Sequence, residues 1–288
     1  MVTPRPGPAL WLARAVHRPF EATARLLHDP ALRDETARYF DDLARPYGYT
    51  AHADLLGDER APSPGQSYGE MAAALIGSLV DPAETVDLLV LAFSVHDMLP
   101  GRATATYLSH VCPGTPLSFA VCDQGTAAPF TGLRIVASYA AAGLCRRAVL
   151  IVVEQAVLPY DTPAHRPAGH HAVAMLYEAG DGTASTLARV GMLHQRAGVE
   201  PDEAGALAAA GVAELAGDET YTVLSGQIAE VWGGPDGRVI LAPPGQPATG
   251  VWSTVVDDLI GRPGRRVVAA DYDPDLRYLS LVELIPAG

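Results

Sequence analysis

At 288 residues, with 49% hydrophobic and 18% charged side chains, the chain has the composition of a soluble globular protein with a large core. Its net charge of −13 excludes a binder of nucleic-acid backbones, which needs a basic surface. The 20 basic side chains are all arginine, and the absence of lysine excludes a Schiff-base mechanism and a phosphate-binding P-loop.

At the N-terminus, Arg5, Arg14 and Arg18 are interspersed with Pro4, Pro6 and Pro8, and no apolar run ends in a cleavage site, so a cytoplasmic protein is predicted. Glu21 to Leu27 and Ala31 to Leu43 place apolar residues at three- and four-residue spacing and read as helices punctuated by Pro30 and Pro46. A Pro/Ser/Gly loop from Pro62 to Gly65 leads into a predicted helix over Tyr68 to Leu79. Val86 to Phe93 is a short apolar run of the kind found in strands covered on both faces. Like Ala148 to Val153, it falls far short of the ~20 residues that cross a bilayer, so no membrane partner is predicted.

The alternation continues with Ala103 to His110 as helix, Ser118 to Cys122 as strand, Ala127 to Ala142 as a small-residue helix, and Ala148 to Glu154 as strand. Past a loop rich in Pro and His, His171 to Tyr177 and Ser185 to Val190 read as a strand pair. The last third offers helices at Glu203 to Leu215 and Val251 to Ile260. Its strands are Tyr221 to Leu224, Val239 to Ala242, Arg266 to Ala270 and Tyr278 to Leu284. Such alternation predicts an α/β protein with a mostly parallel sheet. Cys112, Cys122 and Cys145 are too few and too irregularly spaced for a disulfide framework or a zinc cage.

The order of elements from Val86 to Tyr160 resembles ketoacyl synthase III. The strand Asp87 to Ala92, Pro100, the helix Ala103 to His110, the strand Phe119 to Cys122 and the helix Thr126 to Gly143 follow that family's sequence of strand, helix, strand, nucleophile elbow and long helix. Gly245 to Val282, with "RPGRRVVAAD", is similar to its last helix and closing strands. The resemblance covers roughly two-thirds of the chain. It implies an α/β thiolase fold of two duplicated halves with layered sheets and helices (αβαβα), here divided as 1–165 and a shortened 166–288.

That family needs a cysteine at the start of the long helix, where the helix dipole favours a thiolate. It also needs a histidine and an asparagine that polarise a malonyl carbonyl, and backbone amides of a glycine-rich loop. In this sequence the nucleophile position falls on Thr126 counting back from Leu133 and Gly143, or on Gly125 counting forward from Phe119. The histidine position falls on Gly226 within "LSGQIAE", the asparagine position on Gln246, and the glycine loop on Tyr272, Asp273, Pro274 and Asp275. A "GDGAGA" segment of the family corresponds to Gly169 to Ala174.

Other residues carry sharper and blander readings. Cys122 reads as a core cysteine, with a displaced nucleophile as the alternative. Thr126 reads as a helix start or N-cap, with a weak nucleophile as the alternative. His170 and His171 read as packing or solvent groups, though one could serve as base, since neighbours on a strand face opposite ways. His96 and Asp97 form a pair without a third member, His165 with His170 and His171 fits no zinc signature, and Asp257 and Asp258 read as a solvated helix face.

The joint loss implies a non-catalytic ketosynthase III-like subunit in polyketide, fatty-acid-like or quinolone-type biosynthesis. Its partner would be a catalytically intact homologue or a second copy of itself, with acyl carrier protein as a further partner. No cofactor is expected; acyl-CoA or acyl carrier protein thioester is the substrate of the complex. The alternatives are a divergent acyltransferase, thioester hydrolase or cyclase using Thr126 or Cys122 with His171, and a homodimeric binding or scaffold protein.

Overall fold

The computed structural model describes residues 8–24, 28–51, 56, 65–100, 103–157, 167–182, 186–215, 220–234 and 238–287. Part of the loop at Pro62 to Gly65, as well as Arg5, Tyr160, His165 and Ser185, lies outside them.

The first described element is a strand, β1 (Leu10–Pro19), in a region where sequence periodicity predicts only helices. A bulge between Leu12 and Arg14 turns both Leu12 and Ala13 inward and breaks the two-residue alternation that would mark a strand. The predicted helix from Glu21 to Leu27 is not found in its described part, where Thr23 instead bridges to Gly65.

Helix α1 (Pro30–Ala44) begins with Pro30 at its first position, and the Asp29 carboxylate accepts the Ala31 and Leu32 N–H groups. Helix α2 (Tyr68–Leu79) opens on a capping box, in which Ser67 and Glu70 satisfy each other's backbone N–H. There follow β2 (Leu88–Ala92), α3 (Thr104–Val111), β3 (Leu117–Val121), a 3₁₀ turn at Gly125–Ala127, and α4 (Ala128–Ala141). Strands β4 (Arg147–Glu154), β5 (His171–Ala179) and β6 (Ala188–Ala197) precede α5 (Pro201–Leu215), β7 (Thr220–Leu224), α6 (Gly226–Val231) and β8 (Val239–Leu241). The chain closes through α7 (Gly250–Gly261), β9 (Arg266–Asp273) and β10 (Tyr278–Pro286).

The strands run in the order β3-β2-β4-β5-β1-β6-β10-β9-β7-β8. Read outward from the middle, the two halves repeat, with β6 to β10 taking the places of β1 to β5. Helices α5, α6 and α7 likewise fall between strands as α2, α3 and α4 do. The pairing places β5 in the first half, so the change of half falls between β5 and β6 and not at 165/166. It also separates β5 from β6, which sequence paired, because β1 lies between them. Parallel pairing is confined to the outer trios, β3-β2-β4 and β9-β7-β8, whereas β4 through β9 pair antiparallel across the centre; the sheet is mixed, not mostly parallel.

One core cluster packs α4 and α7 against the inner faces of both sheet halves, joining Phe130 and Trp252 with Val90, Leu150, Val267 and Val282. Phe130 and Trp252 meet at 4.9 Å between ring centroids. A second cluster places α2 and α3 on the outer face of the first half, and a third places α5 and α6 on the outer face of the second. The order is thus helix, sheet, helix, sheet, helix. The two sheet layers are joined along one seam, where β1 and β6 share the register pairs Trp11↔Arg189 and Leu12↔Ala188.

Candidate active site

Strand β3 ends at Val121, and three residues later the Gly125–Ala127 turn carries the chain into α4. Gly125 has φ +49°, a left-handed conformation suited to glycine. Thr126 is 7% exposed, so α4 starts in the interior. Its backbone N–H donates to Asp273 Oδ2 at 2.9 Å, and Asp273 Oδ1 accepts the Leu276 N–H at 2.9 Å. A Cβ added at Gly125 would lie 1.8 Å from Asp273 Oδ2, so the aspartate fills the space over the turn. Ser94 Oγ donates to the Gly125 carbonyl at 2.8 Å from the other side.

The Thr126 hydroxyl bears on a second carboxylate of the same strand face, Asp271. Burial raises the Asp271 pKa to about 7, against the Ser225 and Thr126 hydroxyls and the Tyr272 backbone, which lower it.

Thr126 and Gly125 line a cleft of about 310 Å³ with Tyr68, Ser94, Asp123, Glu154, Asp273 and Asp275. Four acidic residues and no arginine or histidine face it among the described residues, so it disfavours an anionic ligand. Glu154 Oε2 accepts the Ala248 and Thr249 N–H groups at 2.9 and 3.1 Å, and its Oε1 accepts the Thr249 hydroxyl. Burial nevertheless raises its pKa to about 7.

Gly226 and Gln246 do not share this cleft. They line a neighbouring one of about 450 Å³, together with Ser225, Tyr272 and Pro274, and among the described residues only Pro247 lines both. Gly226, at the start of α6, is exposed, and a side chain there would meet nothing within 4 Å.

Cys122 is exposed and lies just past the end of β3, not in the core, because the strand stops one residue earlier. Partial burial first, then the Asp123 carboxylate at 3.4 Å, push its thiol pKa up, away from a reactive thiolate. Cys112 and Cys145 are buried free thiols. Neither His170 nor His171 lines the Thr126 cleft. The His170 ring packs over Gly65, and burial lowers its pKa to about 4. His171 pairs with Pro19 in the register between β5 and β1, and burial and His17 lower its pKa.

Asp97 does not use His96, which is exposed; its oxygens accept the Tyr68 and Leu99 N–H groups and the Gln155 amide. No group of three or more His, Cys, Asp or Glu among the described residues is arranged to hold a metal. Asp257 is solvated and contacts His17, but Asp258 is buried and holds Arg262, since neighbours on a helix point about 100° apart.

Sequence reading named Asp273 only as part of a lost glycine loop and gave Glu154, Asp271, Ser225 and Tyr68 no role. The available signal was an acidic residue closing an otherwise apolar strand, in "AVLIVVE" and "VVAADYD".

No protein-family model matches the sequence, and no curated protein sequence matches it. Solved structures do match over the whole chain. AbyA1, a tetronic acid condensing enzyme, superposes with a TM-score of 0.66 at 17% identity, covering 96% of this chain and 99% of that one. The 3-oxoacyl-(acyl carrier protein) synthase III of Pseudomonas aeruginosa gives 0.62 at 18% identity, covering 97% and 99%. OleA of Xanthomonas campestris gives 0.63 at 16% identity, covering 98% and 100%. The chain therefore has the thiolase fold of the ketosynthase III enzymes. No helix among the described residues is long and apolar enough to cross a membrane.

Proposed function

We propose that the chain is a ketosynthase III-like subunit that carries out no condensation by itself and works beside a catalytically intact homologue. The reading extends to a polyketide, fatty-acid-like or quinolone-type pathway because the similar structures include condensing enzymes and ChlB3, described as an acyltransferase.

One observation carries it: the Asp273 carboxylate occupies the Thr126 N–H at the start of α4. A nucleophile here would need that amide and helix end to stabilise its own negative charge, and a carboxylate already there opposes a second anion. The remaining acids of the cleft oppose a malonyl carboxylate or a phosphate in the same way.

A pairing surface is available at the free edge of β3. Leu117 is 55% exposed there, and Phe119 packs its ring 6.2 Å from Tyr139 of α4. An edge strand offers unpaired backbone groups to another subunit. Co-expression with an intact ketosynthase III tests the proposal. After incubation with an acyl coenzyme A, intact mass should show acylation on the partner and none on this chain.

A second reading, acyl transfer through Thr126, has one observation in its favour, the Asp271 carboxylate beside the Thr126 hydroxyl in the position of a base. Stoichiometric acylation mapped to Thr126 in the isolated chain establishes it in place of the first.

A further inference from the structure

Strands β7 and β9 run parallel with Leu224 opposite Ala270, and the Ser225 N–H donates to the Ala270 carbonyl at 3.1 Å. The next residues along, Ser225 and Asp271, therefore come side by side, and the Ser225 hydroxyl bears on the Asp271 carboxylate. Both residues are buried, at 3% and 2% exposed. Asp271 lines neither cleft itself, but each of the two hydroxyls it meets belongs to one. Thr126 lines the cleft of about 310 Å³, and Ser225 lines the neighbouring one of about 450 Å³. A serine hydroxyl against a buried carboxylate is a nucleophile beside its base, and burial holds the Asp271 pKa at about 7, where a general base works best.

The two clefts differ in what they offer a developing oxyanion. Four acids line the Thr126 cleft and oppose it. Among the described residues, Glu230 is the one acid lining the Ser225 cleft, beside two neutral amides, Gln227 and Gln246. Gln246 accepts the Thr249 hydroxyl on its carbonyl oxygen at 3.4 Å, which leaves its NH₂ to donate. Next to Ser225, a Cβ added at Gly226 would meet nothing within 4 Å, so an acyl group has a way in there. Much of the remaining wall is rigid and apolar, with Pro243, Pro247 and Pro274, and no arginine among the described residues lines it to match a phosphate.

We propose that Ser225 and Asp271 form a hydrolytic dyad that serves this second cleft and cleaves uncharged carboxylic esters with a compact apolar acyl group. Ser225 Oγ attacks the ester carbonyl carbon while its proton passes to Asp271, and the side-chain amides of Gln227 and Gln246 face the resulting oxyanion. Collapse breaks the bond to the alkoxy oxygen, and the alcohol leaves with the proton from Asp271. Water then attacks the acyl-Ser225 carbonyl and gives a proton to Asp271. The second collapse returns that proton to Ser225 Oγ and releases the carboxylic acid. This goes beyond the reading above, since it concerns a different cleft and an oxygen ester, and its test uses neither thioester nor partner subunit.

The isolated full-length chain, at pH 8 where Asp271 is mostly ionised, should hydrolyse p-nitrophenyl acetate and butyrate. Diisopropyl fluorophosphate, a neutral probe of activated serines, should add one diisopropylphosphoryl group, mapped by peptide mass to Ser225, and should stop the hydrolysis. Ser225→Ala should abolish both, and Asp271→Asn should slow hydrolysis by at least about 100-fold. Absence of hydrolysis, absence of labelling, or turnover that Ser225→Ala leaves unchanged overturns the inference. Labelling at Thr126 overturns it as well and supports acyl transfer through Thr126. Should Ser225→Ala not fold, the labelled position in the parent chain and the rate of Asp271→Asn decide the matter.

Discussion

Glu154, the last residue of β4, holds Thr249 twice, through the backbone N–H at 3.1 Å and through the hydroxyl. Asp273, the last residue of β9, stands in the equivalent place of the other half and holds the Thr126 N–H at 2.9 Å. Each half therefore ends a central strand in a carboxylate that caps the central helix of the other. The caps are reciprocal. They satisfy donors that a helix leaves unpaired at its start.

Glu154→Ala should destabilise the chain by about 2–4 kcal/mol, because it leaves two buried N–H groups unpaired and opens a void. Glu154→Gln should cost no more than about 1 kcal/mol, since its carbonyl can accept both amides while its NH₂ faces the Thr249 hydroxyl. Urea denaturation at neutral pH distinguishes the two. Equal losses in both variants would show that charge, not the pattern of donors and acceptors, matters at this cap.

Asp271 makes stability depend on pH in a direction opposite to that of an ion-paired carboxylate. Its pKa is about 7 in the fold, against 3.8 ordinarily. The fold thus binds a proton that the unfolded chain has released, and stability falls as pH rises from about 4 through 7. Glu154 acts in the same direction, whereas the lowered His170 and His171 values oppose it below their ordinary pKa. The contribution of Asp271 is therefore read from Asp271→Asn against the parent chain. The variant's gain in melting temperature should be larger at pH 8 than at pH 5 by roughly 3 °C or more. A difference independent of pH would mean that Asp271 is ionised throughout.

Gly125 and Asp273 should be coupled. A Cβ at 125 would meet Asp273 Oδ2 at 1.8 Å and be forced to φ +49°, so Gly125→Ala should cost about 2–4 kcal/mol. Adding Asp273→Ala removes the clash and leaves only the backbone strain. The double variant should then be more stable than the sum of the single losses predicts, by about 1 kcal/mol or more. Simple additivity would rule out the contact.

Thr126→Cys should not restore condensation. The Asp273 carboxylate beside the new thiol favours its protonated form, and no histidine among the described residues lines the cleft. Losing a single oxyanion donor typically costs about 100- to 1,000-fold in rate, and the histidine and asparagine positions here are Gly226 and Gln246, facing another cleft. The variant should at most acylate itself, with no product from acyl and malonyl thioesters. Product above background would assign the missing polarisation to a group still present.

The pattern of residues along the chain determined most of the elements. Apolar runs such as Leu88–Ala92 and Arg147–Glu154 are covered on both faces, and Ser67 and Glu70 mark the start of α2 through contacts three residues apart. The order of these elements carries the thiolase arrangement, because each half repeats the same succession of strands and helices. What escaped was β1, whose bulge disturbs the local period, and its insertion between β5 and β6, which rests on partners more than 150 residues away. The site escaped for the same reason. Thr126 lies 147 residues from Asp273, and Thr249 lies 95 from Glu154. An acidic residue at a strand end has the same sequence signature whether it meets water or a helix start. Only the packing of one half against the other turns these two carboxylates inward and makes them caps.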